Sequence, residues 1–128
     1  WPNLPARPCD RAIAGALEGL LPEARVAAER AYSLMPRDMN AGLLAGILSR
    51  DGDSMRAESL LVHLQDGEKY GVPMGWFAYY LTRLDFDRAA TWIEKAIEQH
   101  DQRSAYGLPY LRPTPQWPML SKTLNWPA

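Results

Sequence analysis

Three segments of this chain can be laid over one another at a spacing of about 33 residues, and that recurrence narrows the fold more than any other feature. They are Ala24-Arg25-Val26-Ala27-Ala28-Glu29-Arg30-Ala31, Ala57-Glu58-Ser59-Leu60-Leu61-Val62-His63-Leu64 and Ala89-Ala90-Thr91-Trp92-Ile93-Glu94-Lys95-Ala96. Each opens on a small residue and carries small or apolar side chains four and seven positions later, which is one face of a helix. The joints recur too. Gly19 and Gly52 each stand five residues before the opening alanine, where a helix must stop and the left-handed backbone of glycine helps it turn. Leu84 holds that place in the third unit and Asp85 follows it as a cap, as Asp53-Ser54 does after Gly52. Ahead of each joint lies another apolar helix, with Leu43, Leu44, Ile47 and Leu48 in the second unit and Trp76, Phe77, Tyr79 and Tyr80 in the third. The pattern predicts antiparallel helix pairs over 8–36, 38–69 and 70–101, followed by a C-terminal cap over 105–128.

Composition allows such a fold and excludes several functions. A chain of 128 residues is about one domain and can bury a core without staples. A net charge of -1 argues against a nucleic-acid-binding face, which needs clustered basic residues. No apolar run reaches the 18 residues of a membrane span. Cys9 is the single cysteine, so no disulfide framework exists, and a reducing cytoplasm is the simpler location. The opening Trp1-Pro2-Asn3-Leu4-Pro5 lacks both a methionine and a signal-peptide pattern, which suggests a piece of a longer protein.

Given those pairs, the sequence resembles the tetratricopeptide repeat family, whose unit is a helix-turn-helix of about 34 residues. The resemblance rests on Ala24, Ala57 and Ala89 opening the second helices, on Ala31, Leu64 and Ala96 later in them, and on Pro36 closing the first unit. Leu44, Ala45 and Leu48, then Trp76, Phe77 and Tyr80, match the family's first-helix positions; Arg11 and Gly15 depart from them. The resemblance implies an all-α fold: a right-handed superhelix of about three antiparallel helix pairs plus a short C-terminal capping helix. The end of the chain is similar to C-terminal domains of this family in bacterial signalling proteins, among them nucleotide cyclases and winged-helix transcription regulators. The stretches that carry this are Ala89 to Asp101, Pro115-Gln116-Trp117-Pro118-Met119-Leu120 and Leu124-Asn125-Trp126-Pro127.

In "LRPTPQWPML", Arg112, Pro115 and Pro118 have the spacing of a ligand for proline-recognition domains. Self-packing is the stronger reading. Thr114 suits a helix cap, Pro115 the first helical position, and Trp117, Leu120 and Leu124 then make one apolar stripe that docks as a structural cap.

No chemistry-bearing constellation emerges. His63 and His100 sit on different units without a ligand-spaced Asp or Cys, so neither a metal nor a cofactor is expected. His63 lies beside apolar positions, and His100 ends a helix where a cation meets the last carbonyls. The carboxylates read as solvated faces and caps, and no nucleophile lies beside a base. The chain therefore reads as no enzyme.

In the family, the first helix of each unit lines a concave groove for extended peptides. Carried onto this chain, that groove comprises Ile13, Ala16 and Leu17, then Met39, Gly42, Gly46, Ser49 and Arg50, then Met74, Ala78, Leu81 and Thr82. Arg50 is its single positive charge, which disfavours the gripping of a terminal carboxylate. The expected function is a non-catalytic interaction and regulatory module, its partner a protein or peptide, a second copy of the chain included. The alternatives are a purely structural or dimerisation domain attached to a cyclase or DNA-binding domain, and a small-ligand sensor with an aromatic pocket of Trp76, Tyr79 and Trp92.

Overall fold

Helix follows helix along the chain, and no strand occurs among the described residues, 7–124 of a computed structural model. The elements are α1 (Pro8–Glu18), α2 (Leu21–Leu34), α3 (Asp38–Arg50), α4 (Ser54–Leu61, tightening into a 3₁₀ turn at Val62–Leu64), α5 (Val72–Thr82), α6 (Phe86–Glu98), α7 (Ser104–Leu111) and α8 (Trp117–Thr123). Helices α1 with α2, α3 with α4 and α5 with α6 form tight hairpins, each within one of the spans expected from the repeat.

The three hairpin joints share one backbone feature. Gly19, Gly52 and Leu84 have φ of 80°, 92° and 65°, all in the left-handed region. A leucine there costs roughly 1–2 kcal/mol relative to glycine, yet the third joint turns as the others do. Asp53 and Asp85 follow the second and third joints and accept hydrogen bonds from the backbone N–H of Arg56 and Arg88, at 3.3 and 3.2 Å. The side-chain cap thus satisfies a first-turn donor that the helix leaves open.

Helix α3 is the centre. Every residue from Ala41 to Leu48 is buried, so this helix is apolar on all sides rather than striped. It packs most extensively on α5 and also touches α1, α2 and α4. The α3–α5 approach is set by glycine. A Cβ on Gly42 would overlap the carbonyl oxygen of Gly75, and one on Gly46 would overlap Thr82 Oγ1 and come within 2.7 Å of the Tyr79 carbonyl. The first hairpin uses small residues in the same way: Gly15 lies against Ala24, with Ala12, Ala16, Ala28 and Ala31 buried around it. Gly15, which departs from the family's large apolar residue, thus lets α1 lie close to α2.

The C-terminal closure differs from the single capping helix expected. Two helices follow α6. Gly107 of α7 seats against Phe77 and Ile93, and the Tyr110 hydroxyl donates to Asp10 Oδ1 at 3.2 Å, tying α7 back to α1. Burial, with Asp10 alongside, pushes the Tyr110 phenol up to about 12. Helix α8 starts at Trp117 rather than at Pro115. The Thr114 hydroxyl donates backwards to the Leu111 carbonyl at 2.6 Å at the end of α7, and α8 takes Gln116 as its N-cap with no side-chain cap hydrogen bond. Pro118 falls in the first turn, where no N–H is missed. Leu120 is buried, Trp117 and Leu124 are half-buried against the core, and Arg112 lies over the Trp117 ring, 5.6 Å from its centroid, within cation–π range. Asn125, Trp126 and Pro127 lie outside the described residues.

Gly42→Ala is expected to destabilise the domain by about 3 kcal/mol, the upper end for overpacking, because a carbonyl and not a mobile side chain must give way. Urea denaturation followed by tryptophan fluorescence measures this directly.

Candidate functional site

The groove read from the sequence lies largely inside the molecule. Ile13, Ala16, Met74, Ala78, Leu81 and Thr82 are 0–1% exposed, and Gly42 and Gly46 are buried in the α3–α5 contact. Only Leu17, Met39, Ser49 and Arg50 keep partial access. The physical reason is the close approach of α1, α3 and α5, which leaves no room for a peptide between them.

Arg50, expected as the groove's one charge, is committed to backbone carbonyls. Its Nη1 donates to the Ala16 oxygen at 2.7 Å and to the Thr82 oxygen at 2.8 Å. Ala16 lies in the last turn of α1 and Thr82 ends α5, while Arg50 itself ends α3. One guanidinium therefore donates to carbonyls at the negative ends of two neighbouring helices, the Ala16 oxygen also accepting the Gly19 N–H at 3.3 Å.

The aromatic residues form a packed wall. Trp76 stacks on Tyr80 and on Trp92, with centroids 5.8 and 5.9 Å apart, and meets Tyr79 edge-on at 5.6 Å. Its Nε1 donates to the Leu64 carbonyl at 2.9 Å. Arg83, Arg88 and Lys95 lie over Tyr79, Tyr80 and Trp92. The rings occupy one another's faces, and neither large cleft of the surface is lined by Trp76, Tyr79 or Trp92.

The larger cleft, of about 960 Å³, opens at the other end of the helices, where α1, α3, α5 and α7 begin. Arg7, Arg37, Lys69 and Arg103 line it, with Met35, Met39, Tyr70 and Tyr106 as apolar and aromatic surface. Arg103 is the anchored member. It chelates Asp101 through Nε and Nη2 at 3.1 and 2.7 Å, reaches Asp38 at 3.4 Å, and donates to the Gly71 carbonyl at 3.1 Å. This knot holds the starts of α3, α5 and α7 together. Burial alone would raise the Asp101 carboxyl, but hydrogen bonds and charge from Arg103 outweigh it and hold the pKa below the usual carboxylate value. The same hydrogen bonds raise the Arg103 pKa despite burial. Arg37 and Lys69 have no carboxylate partner among the described residues. Cys9 also borders the cleft, its thiol pushed up by burial and then by Asp10.

His63 and His100 border the cleft as well, both exposed; the His63 ring lies 3.2 Å from the Tyr32 hydroxyl. Among the described residues no group of three metal-ligating side chains forms. No described helix is long and apolar enough to cross a membrane.

The sequence reading missed this cleft, although a signal was present. A basic residue stands ahead of the first helix of each unit and of α7, at positions 7, 37, 69 and 103. Read singly these look like solvated loop charges; the repeat brings them to one end. No family model, no curated protein and no solved structure matches this chain.

Arg50→Ala is expected to cost about 2–3 kcal/mol, because each carbonyl loses a charged donor, and Arg50→Lys to recover only part of it; urea midpoints compare the three proteins. The Asp101–Arg103 knot predicts an acid dependence. Because the folded pKa of Asp101 lies below its unfolded value, its contribution is complete above the ordinary carboxylate range near 4 and is lost as pH falls through the folded pKa. Asp101→Asn should remove that component, giving a flatter stability profile below about pH 4 in denaturant titrations.

Proposed function

We propose that this chain is a non-catalytic protein-interaction module of the tetratricopeptide type, a right-handed superhelix serving as the C-terminal regulatory part of a larger bacterial signalling protein in the cytoplasm. Support for the repeat comes from its recurrence at three levels. Helix pairs occur at the expected period, the same joint position takes a left-handed backbone in each, and Ala24, Ala57 and Ala89 are each no more than 3% exposed.

The observation that carries the interaction reading is the cleft at the starts of α1, α3, α5 and α7. It combines two cations without carboxylate partners among the described residues, Arg37 and Lys69, with exposed apolar surface from Met35, Tyr70 and Tyr106. Unpaired charge beside aromatic and methionine surface suits a peptide bearing carboxylates and large apolar side chains, since Met adapts to irregular partners and Tyr contributes contact area at low entropic cost. The family's usual groove is filled here, so the partner surface shifts to the helix starts.

The test is charge reversal in the full-length protein. Arg37→Glu with Lys69→Glu, both at exposed positions, should leave the melting temperature within about 2 °C, since surface changes of this kind seldom exceed half a kcal/mol. Quantitative cross-linking with mass spectrometry should show partners lost at least tenfold. An unchanged partner set and unchanged output would sink the reading.

A further inference from the structure

The outer face of the α1–α2 hairpin bears unpaired charge and apolar surface arranged in a particular order. Its second cleft, of about 850 Å³, has Val26, Ala27 and Leu34 as apolar floor and Arg11, Glu23 and Arg30 around it. Val26 and Leu34 are 72% and 61% exposed. That is unusual for the centre and end of a helix in a packed array, where outer faces are polar.

The charges on this face are polarised along the helices. Arg11 lies near the start of α1 and Arg30 near the end of α2, so both fall at one end of the antiparallel hairpin. At the other end stand Glu18, closing α1 on the same helical stripe as Arg11, and Glu23, opening α2. All four are exposed and none has an ion-pair partner among the described residues. Apolar side chains mark the middle and one end of the face: Val26 at the centre and Leu34 at the basic end.

Such a face complements itself. A two-fold axis lying in the interface, perpendicular to α2 and passing beside Val26, lays each hairpin antiparallel on its mate. The operation places Arg30 of one copy against Glu23 of the other, twice, and Arg11 towards Glu18, twice. Val26 meets Val26 at the axis. Reciprocity of this kind, in which each contact occurs in both directions, is what a closed two-fold dimer requires. The parallel face-to-face orientation instead sets like charges together at both ends.

We propose that the chain associates with a second copy of itself through the α1–α2 face. The proposal rests on the interaction-module reading and adds a second surface, which meets the Arg37–Lys69 cleft only at Arg7. Two helices of this length side by side offer about 20 Å by 20 Å, the low end of specific interfaces, so the dimer forms in the micromolar range and loosens with salt.

Sedimentation equilibrium on the 128-residue chain, from about 1 µM to 1 mM at low and high salt, is the experiment. Dimer is expected, with Val26→Glu and Arg30→Glu each weakening association at least tenfold while circular dichroism and melting temperature hold. The double variant Glu23→Arg with Arg30→Glu inverts both pairs and should restore association. Monomer at every concentration overturns the proposal, as does a dimer indifferent to Val26→Glu and Arg30→Glu. Either negative result leaves the cleft reading standing, because the charge-reversal experiment on Arg37 and Lys69 does not touch this face. Capture of a different protein by the face, abolished by Val26→Glu in the absence of self-association, also overturns it.

Discussion

Everything in this domain is arranged around a contact that no large side chain makes, the backbone approach of α3 to α5 through Gly42, Gly46 and Gly75. Ordinary helix pairs sit 8–10 Å apart because side chains hold them there. Removing the Cβ atoms lets two helices close to the point where one's Cα faces the other's carbonyl. The wide apolar side chains are then displaced to the flanks. Leu43, Leu44, Ile47 and Leu48 meet neighbours on every side, and Phe77, Met74 and Leu81 are completely enclosed. The closeness also brings helix ends together. Arg50 can donate to carbonyls of both α1 and α5 only because all three helices finish within reach of one guanidinium.

That packing buries most of the positions at which the resemblance implied a groove. A repeat array binds peptides along its concave side when first helices stand far enough apart for side chains to project between them. Here the corresponding positions carry glycine, alanine and methionine, and they are spent on packing. Sequence reasoning noted that these residues were small and apolar, which fits a groove and a helix interface equally. What separates the two is distance, and distance follows from the pairing of Gly42 with Gly75 across 33 residues, which no local pattern displays.

Much of the fold was legible because its signals are local. The period of the alanines, the glycines at two joints and the caps at Asp53 and Asp85 each act within a turn or two of helix. Leu84 shows the boundary of that legibility, since the third joint adopts the left-handed backbone without the residue that advertises it. There the flanking helices impose the turn and the leucine bears the strain. The tail shows a second boundary. Thr114 and Pro115 carry a sound helix-start signal, but the Thr114 hydroxyl donates to the Leu111 carbonyl and the helix begins only at Trp117, with Gln116 as its N-cap.

The candidate surfaces were the least legible part, for a reason that applies to repeats in general. Residues that meet at an end of the array stand one unit apart in sequence, so Arg37, Lys69 and Arg103 each look like an isolated loop charge. Only one of the three is consumed by structure. Arg103 is fixed by Asp101 and Asp38, and by holding the starts of three helices it makes the rim on which Arg37 and Lys69 stand, neither paired with a carboxylate among the described residues. The domain thus divides its arginines by partner. Arg50 and Arg103 are bound inward and set the geometry at opposite ends of the helices, whereas Arg37 and Lys69 are exposed and have no carboxylate partner among the described residues.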